Sequence, residues 1–180
     1  MLPPMTRRRA LWILGVVTLG LFAVLLVLDG RMQDAGNHGI VAFEVAFTSG
    51  KAQEIIVAWG SKGHDAARLS LWIDFLYLIA YGLFLWLAVR ALGDAFRDRG
   101  MDGWARPAAA ISVLPLIGAG ADAVEDVFLL LVLGGDASSI GPPLAGSFAT
   151  LKFACLAVVV VYLLAGLVAL ALSRRSAPAR

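Results

Sequence analysis

The sequence predicts an all-α integral membrane protein: a four-helix bundle with two short amphipathic helices in its first extracytoplasmic loop. Three observations carry this expectation. Of the 180 residues, 60% are hydrophobic and the mean hydropathy is +0.83, well above the roughly 45–50% apolar content of soluble domains. Four stretches reach the ~20 apolar residues that a spanning helix needs. The basic residues also divide unevenly between the segments flanking those stretches. At this length, one membrane domain is the natural count.

Taken in order, residues 1–9 form a short N-terminus, and Arg7, Arg8 and Arg9 precede a first span over 10–28. Basic residues before an apolar run also begin secretory signals. Here the run is longer than the usual ~7–15 residues, and Leu28-Asp29-Gly30-Arg31 offers no small-x-small cleavage site, so the span is expected to stay uncleaved. Residues 31–68 make an extracytoplasmic insert. Within it Ile40 to Phe47 is apolar with one acid, Glu44, and Thr48-Ser49-Gly50 reads as a turn with an N-cap. Ala52, Ile55, Ile56 and Trp59 then recur at helical spacing, with Lys51, Gln53 and Glu54 on the opposite face. Gly60 is expected to end that helix and Asp65 to cap the second span. Trp59 is expected at headgroup depth. These helices either cap the bundle or form a lid over a pocket with Glu44 pointing inward.

The second span is expected over 69–92, the third over 107–133 and the fourth over 144–172, followed by a tail at 174–180. Pro115 removes one backbone bond from the third span and is expected to kink it. Ten of the fifteen Lys and Arg (Arg7, Arg8, Arg9, Arg90, Arg97, Arg99, Arg106, Arg174, Arg175 and Arg180) fall on one side. Four (Arg31, Lys51, Lys62 and Arg68) fall on the other, and Lys152 lies inside a span. The positive-inside rule then puts both termini and the 93–106 loop in the cytoplasm of a bacterial cell, with the protein in its plasma (inner) membrane. The net charge of +2 reflects this topology, and nucleic-acid binding is not expected.

Charges inside the spans are the most informative feature. A carboxylate at mid-span costs about 2.5–3.5 kcal/mol on insertion scales, so such groups mark a protein interior, a pairing or a ligand. Ser70, Asp74, Tyr77 and Tyr81 share one face of the second span, and Gly118, Asp122 and Glu125 share one face of the third, with Asp126 beside Asp122. Gly118, Ala119, Gly120 and Ala121 permit close helix contact at that point. Lys152, on the fourth span, is the counter-charge. All five charges belong to the outer half of the bundle, so a single cluster is expected. Its ligand-binding residues would be Asp74, Tyr77, Tyr81, Asp122, Glu125, Asp126, Lys152 and Glu44.

Four span carboxylates against one lysine leave three readings open: protonated acids, a bound cation or ligand, or structural pairing alone. Oxygen ligands suit Mg²⁺, Ca²⁺ or Mn²⁺, with Asp122, Glu125 and Asp126 as the metal candidates. Zinc and haem are not expected, because His38 and His64 lie in polar stretches between spans. Cys155 stands alone, which rules out an intrachain disulfide and CxxC chemistry.

Asp102-Gly103-Trp104-Ala105-Arg106 with Gly118-x-x-x-Asp122-x-x-x-Asp126 resembles part of the signature of CDP-alcohol phosphatidyltransferases, whose aspartates hold divalent metals. Only the Gly-x3-Asp-x3-Asp part fits. Arg99 stands where the first aspartate belongs, Arg106 comes one residue early and the spacer to Gly118 is too long, so that activity is not carried over. Small multidrug transporters have four short spans but a glutamate in the first, where this chain has no charge. The chain is more generally similar to uncharacterised bacterial four-span membrane proteins with a short helical insert and an Asp-x-x-Glu step, here Asp122 to Glu125. That resemblance implies no activity.

The expected function is therefore binding or transport-accessory, with an acidic pocket for a cation, proton or polar-headed amphiphile. A membrane-embedded enzyme acting on a lipid or isoprenoid, with an Asp–Glu pair as acid and base, is the alternative. A purely structural subunit is the third. The implied partners are the lipid bilayer and a lipid or small amphiphile, with homo-oligomerisation left open.

Overall fold

A computed structural model describes residues 4–135 and 139–175. They form seven helices and, among the described residues, no strand: α1 (Pro4–Gly36), α2 (Ile40–Glu44), α3 (Ser49–Arg97), α4 (Asp102–Ala105), α5 (Ala108–Ile111), α6 (Leu114–Leu133) and α7 (Gly141–Arg175). Three of them, α1, α3 and α7, are long and apolar enough to cross a membrane. The fourth long helix, α6, has 20 residues, and its Asp122, Glu125 and Asp126 set it apart. α1 packs along α3, while α6 lies against both α3 and α7. Outward faces stay apolar, with Trp12, Val16 and Leu19 on α1, Trp72 and Leu76 on α3, and Leu164 and Val168 on α7 all exposed.

Local chemistry explains each boundary. Asn37, with φ of 57°, takes the left-handed conformation that ends α1, and its N–H donates to Gln33 O at 2.8 Å. Asp29 of α1 then accepts from the Ile40 N–H at 2.7 Å and so fixes the start of α2. Thr48 caps α3, its side chain accepting from the Lys51 N–H at 3.3 Å, as the sequence led us to expect. Beyond α3, Phe96 O accepts from the Met101 N–H at 3.0 Å.

The insert keeps the expected break at Gly60 and departs from expectation at Asp65. The first short helix has only five residues, Ile40–Glu44. The second gives way to the following span at Gly60, as expected, where φ of 55° and ψ of −161° leave helical geometry, and a new helix resumes directly beyond it. This backbone conformation is open essentially to glycine alone. Asp65 therefore lies in mid-helix with its carboxylate 82% exposed and caps nothing. Trp59 is only 2% exposed. Its indole N–H donates to His38 O at 2.6 Å and its ring meets Phe43 edge-on, so it anchors the insert to the core.

Pro115 interrupts the helical hydrogen bonding, while Ser112 and Val113 before it keep right-handed helical dihedrals. The proline sits in the first turn of α6, where a missing N–H costs nothing, but its ring would collide with the carbonyl four residues back. The expected span over 107–133 accordingly divides into α5 and α6, with Ser112 and Val113 between them.

Apolar clusters fill both ends. Met32, Phe43, Ile55, Trp59, Leu71 and Leu129 pack around the insert. Val89, Leu92, Phe96, Val159 and Tyr162 pack at the opposite end, where the Tyr162 hydroxyl donates to Trp104 O at 2.9 Å. There Arg7 of α1 and Arg97 both pair with Asp94 of α3.

Candidate functional site

Between the two apolar ends, α2, α3, α6 and α7 bring six charged side chains together. Close helix packing makes this possible. A Cβ at Gly82 of α3 would lie 3.1 Å from the Ala119 Cβ of α6, and one at Gly118 of α6 would lie 3.5 Å from the Cys155 Cβ of α7. Small residues at these points draw the backbones together and so bring the carboxylates within reach of one lysine.

Lys152 is the hub. Its Nζ lies 2.8 Å from Asp122 Oδ1, 2.9 Å from Glu125 Oε2 and 3.4 Å from Glu44 Oε2. All four side chains are less than a tenth exposed, which is tenable for an ammonium only if acids surround it. The Tyr81 hydroxyl donates to the other Asp122 oxygen, Oδ2, at 2.8 Å, so Asp122 is pinned from both sides. Tyr77 stacks on Phe22 of α1 and meets the Tyr81 ring at a tilt.

Asp74 and Asp126 belong to a second corner. One carboxylate oxygen from each of Asp74, Asp122 and Asp126 lies within 4.8 Å of the other two. Asp126 is 1% exposed, and its Oδ2 has no hydrogen-bond partner. Both oxygens of the fully buried Glu125 also lack a hydrogen bond, although Oε2 faces Lys152. Asp74 is only half-buried and opens onto a cavity of about 370 Å³.

Both polar and apolar side chains line that cavity: Glu44, Ser70, Asp74, Tyr81, Asp122 and Lys152, and Phe22, Leu25 and Leu26 of α1 with Phe153 and Leu156 of α7. Glu125 and Asp126 sit behind its wall. Burial pushes the Glu44 carboxyl above its ordinary range, with Lys152 opposing the shift and Asp122 adding to it.

All eight residues expected in the pocket thus converge, Asp74 with Tyr77 and Tyr81 on one face of α3 and Glu44 at the end of α2. The metal candidates regroup. Glu125 turns toward Lys152, and Asp74 takes its place beside Asp122 and Asp126. Asp102 of the partial transferase signature is exposed on α4 and does not join them. The sequence reading missed Asp29, which lines the cavity and holds α2. It sits where an apolar span meets a polar loop, where an acid draws no notice. No protein-family model, curated protein or solved structure matches the chain.

Proposed function

We propose that the chain is an integral membrane binding or transport-accessory protein whose acidic pocket takes a cation, a proton or a polar-headed amphiphile. In this reading α1, α3, α6 and α7 are the four spans of a bacterial plasma-membrane protein. Both termini and the 98–107 connection face the cytoplasm, and the pocket lies in the outer half. The supporting observation is that three carboxyls ion-pair with one buried lysine, and Asp74 and Asp126 lie beside them, at a cavity that apolar side chains also line. Charges in such surroundings are retained where something offsets them, and an amphiphile's tail would lie against Phe22, Leu25 and Leu26. α2 is the lid of this pocket, closed by Glu44 on Lys152.

Melting the purified protein in a neutral maltoside detergent tests the reading. A ligand that binds only the folded state stabilises by RT ln(1 + [L]/Kd), about 2.7 kcal/mol at a hundredfold excess over Kd. A long-chain alkylammonium should raise the melting temperature saturably, and Asp74→Asn should weaken the effect. Curves indifferent to alkylammonium, to protons and to metal ions would leave the cluster a purely structural fastening.

A further inference from the structure

The six charges are not one undifferentiated patch. Lys152 compensates Glu44, Glu125 and one oxygen of Asp122, at 3.4, 2.9 and 2.8 Å. On the far side of Asp122, Asp74 and Asp126 have no cationic side chain within ion-pairing distance among the described residues. Asp126 Oδ2 is buried without a partner. A lone buried carboxylate oxygen forfeits its hydration without recompense. Asp122 already has Lys152 and the Tyr81 hydroxyl, so the uncompensated groups are Asp74 and Asp126. A divalent cation held between them and Asp122 would offset their charge.

We propose that Asp74, Asp122 and Asp126 hold one divalent cation, which names the ligand class of the pocket and rests on the reading of it as a binding site. The separation fits. Three oxygens within 4.8 Å of one another can share an ion with bonds of about 2.3–2.6 Å, as for Ca²⁺, or, after slight closure, of about 2.0–2.1 Å, as for Mg²⁺. Each oxygen of Asp122 keeps a lone pair beyond those used by Lys152 and Tyr81. Those two donors orient the carboxylate as outer partners orient metal ligands. Asp74 is the ligand at the cavity mouth, so the ion enters from that side and keeps room there for water or for an oxygen of a second ligand. Glu125 is outside the set because, among the described residues, it is Asp74, Asp122 and Asp126 whose carboxylate oxygens lie within 4.8 Å of one another.

The test uses the full-length protein in maltoside detergent, stripped with a chelator and then given Ca²⁺, Mg²⁺ or Mn²⁺ alone. At least one ion should raise the melting temperature saturably, and calorimetric titration should count one site per chain. Asp74→Asn should weaken binding at least about tenfold, the lower end of what disturbing even an outer partner of a metal site costs. Asp126→Asn should do the same, and the half-buried Asp74 supplies the readout if that buried variant does not fold. Val158→Ala, at an exposed site on α7 outside the pocket, should keep the response. Absence of binding by all three ions, or wild-type affinity in Asp74→Asn, overturns the proposal. If alkylammonium still stabilises while no divalent ion binds, only the ligand class is wrong; loss of both responses removes the pocket reading as well.

Discussion

Lys152 pairs with three buried carboxyls, so its removal can be tested by substitution. Removing one partner of a buried ion pair typically costs about 3–5 kcal/mol, because the remaining charges are left uncompensated. Lys152→Met should therefore lower the melting temperature far more than Val158→Ala, which alters an exposed site on the same helix. Adding Glu125→Gln should recover part of the loss, a coupling that a double-mutant cycle measures directly. Glu44 gives a pH signature. Its carboxyl is raised in the folded state, so its contribution is fully present below the ordinary glutamate range. That contribution disappears as pH rises through the raised value, because the unfolded chain then ionises more readily. Melting temperature should thus fall on the alkaline side of that window, and Glu44→Gln should flatten the fall.

At the scale of elements, the crossing of α1 and α3 depends on Gly36. A Cβ there would lie 2.7 Å from the carbonyl carbon of Ala58, which is backbone and cannot swing aside. Gly36→Ala should cost about 1–3 kcal/mol, as overpacking does. Gly20→Ala, on the same helix with nothing within 4 Å of the new methyl, should be neutral or slightly stabilising because alanine gains helix propensity. Chemical denaturation of the two variants compares them.

What the sequence revealed at this scale follows a physical divide. The apolar runs announced α1, α3 and α7, because length and hydropathy are local properties. The shared faces of Asp74, Tyr77 and Tyr81 and of Asp122 and Glu125 were legible, since helical periodicity alone sets them. Gly60 was legible as a break, but that a new helix resumes directly beyond it was not, because that depends on what packs there, here Gly63 against Trp59 and Ala35. The choice between Asp74 and Glu125 as a neighbour of Asp126 was equally hidden, because it rests on the rotation of α3 against α6.

For the whole molecule, the membrane reading makes a topological prediction. Lys62→Cys and Arg97→Cys, each in a Cys155→Ala background, should react differently with an impermeant thiol reagent in intact cells. Labelling at Lys62 alone is expected, and labelling at Arg97 alone would invert the protein. Dimensions agree with a chain that spans and overhangs. At about 1.5 Å per residue α3 would reach ~73 Å if straight, against a hydrocarbon core of about 30 Å. The bend at Gly60 turns its first part away from that axis.

The pairing of Lys152 with Asp122 and Glu125 also bears on how the chain is made. Eleven Leu, Ile, Val and Phe residues in α6 favour insertion by about 3–7 kcal/mol, while its three acids oppose it by about 7–10 kcal/mol. On its own, α6 is a poor substrate for the translocation machinery, and it emerges from the ribosome before α7 supplies the lysine. The two helices are then expected to enter the bilayer as a hairpin, with α6 waiting for its successor. A nascent chain ending before Gly141 should leave α6 outside the bilayer, where a glycosylation reporter or protease would find it, and extension through Lys152 should draw it in.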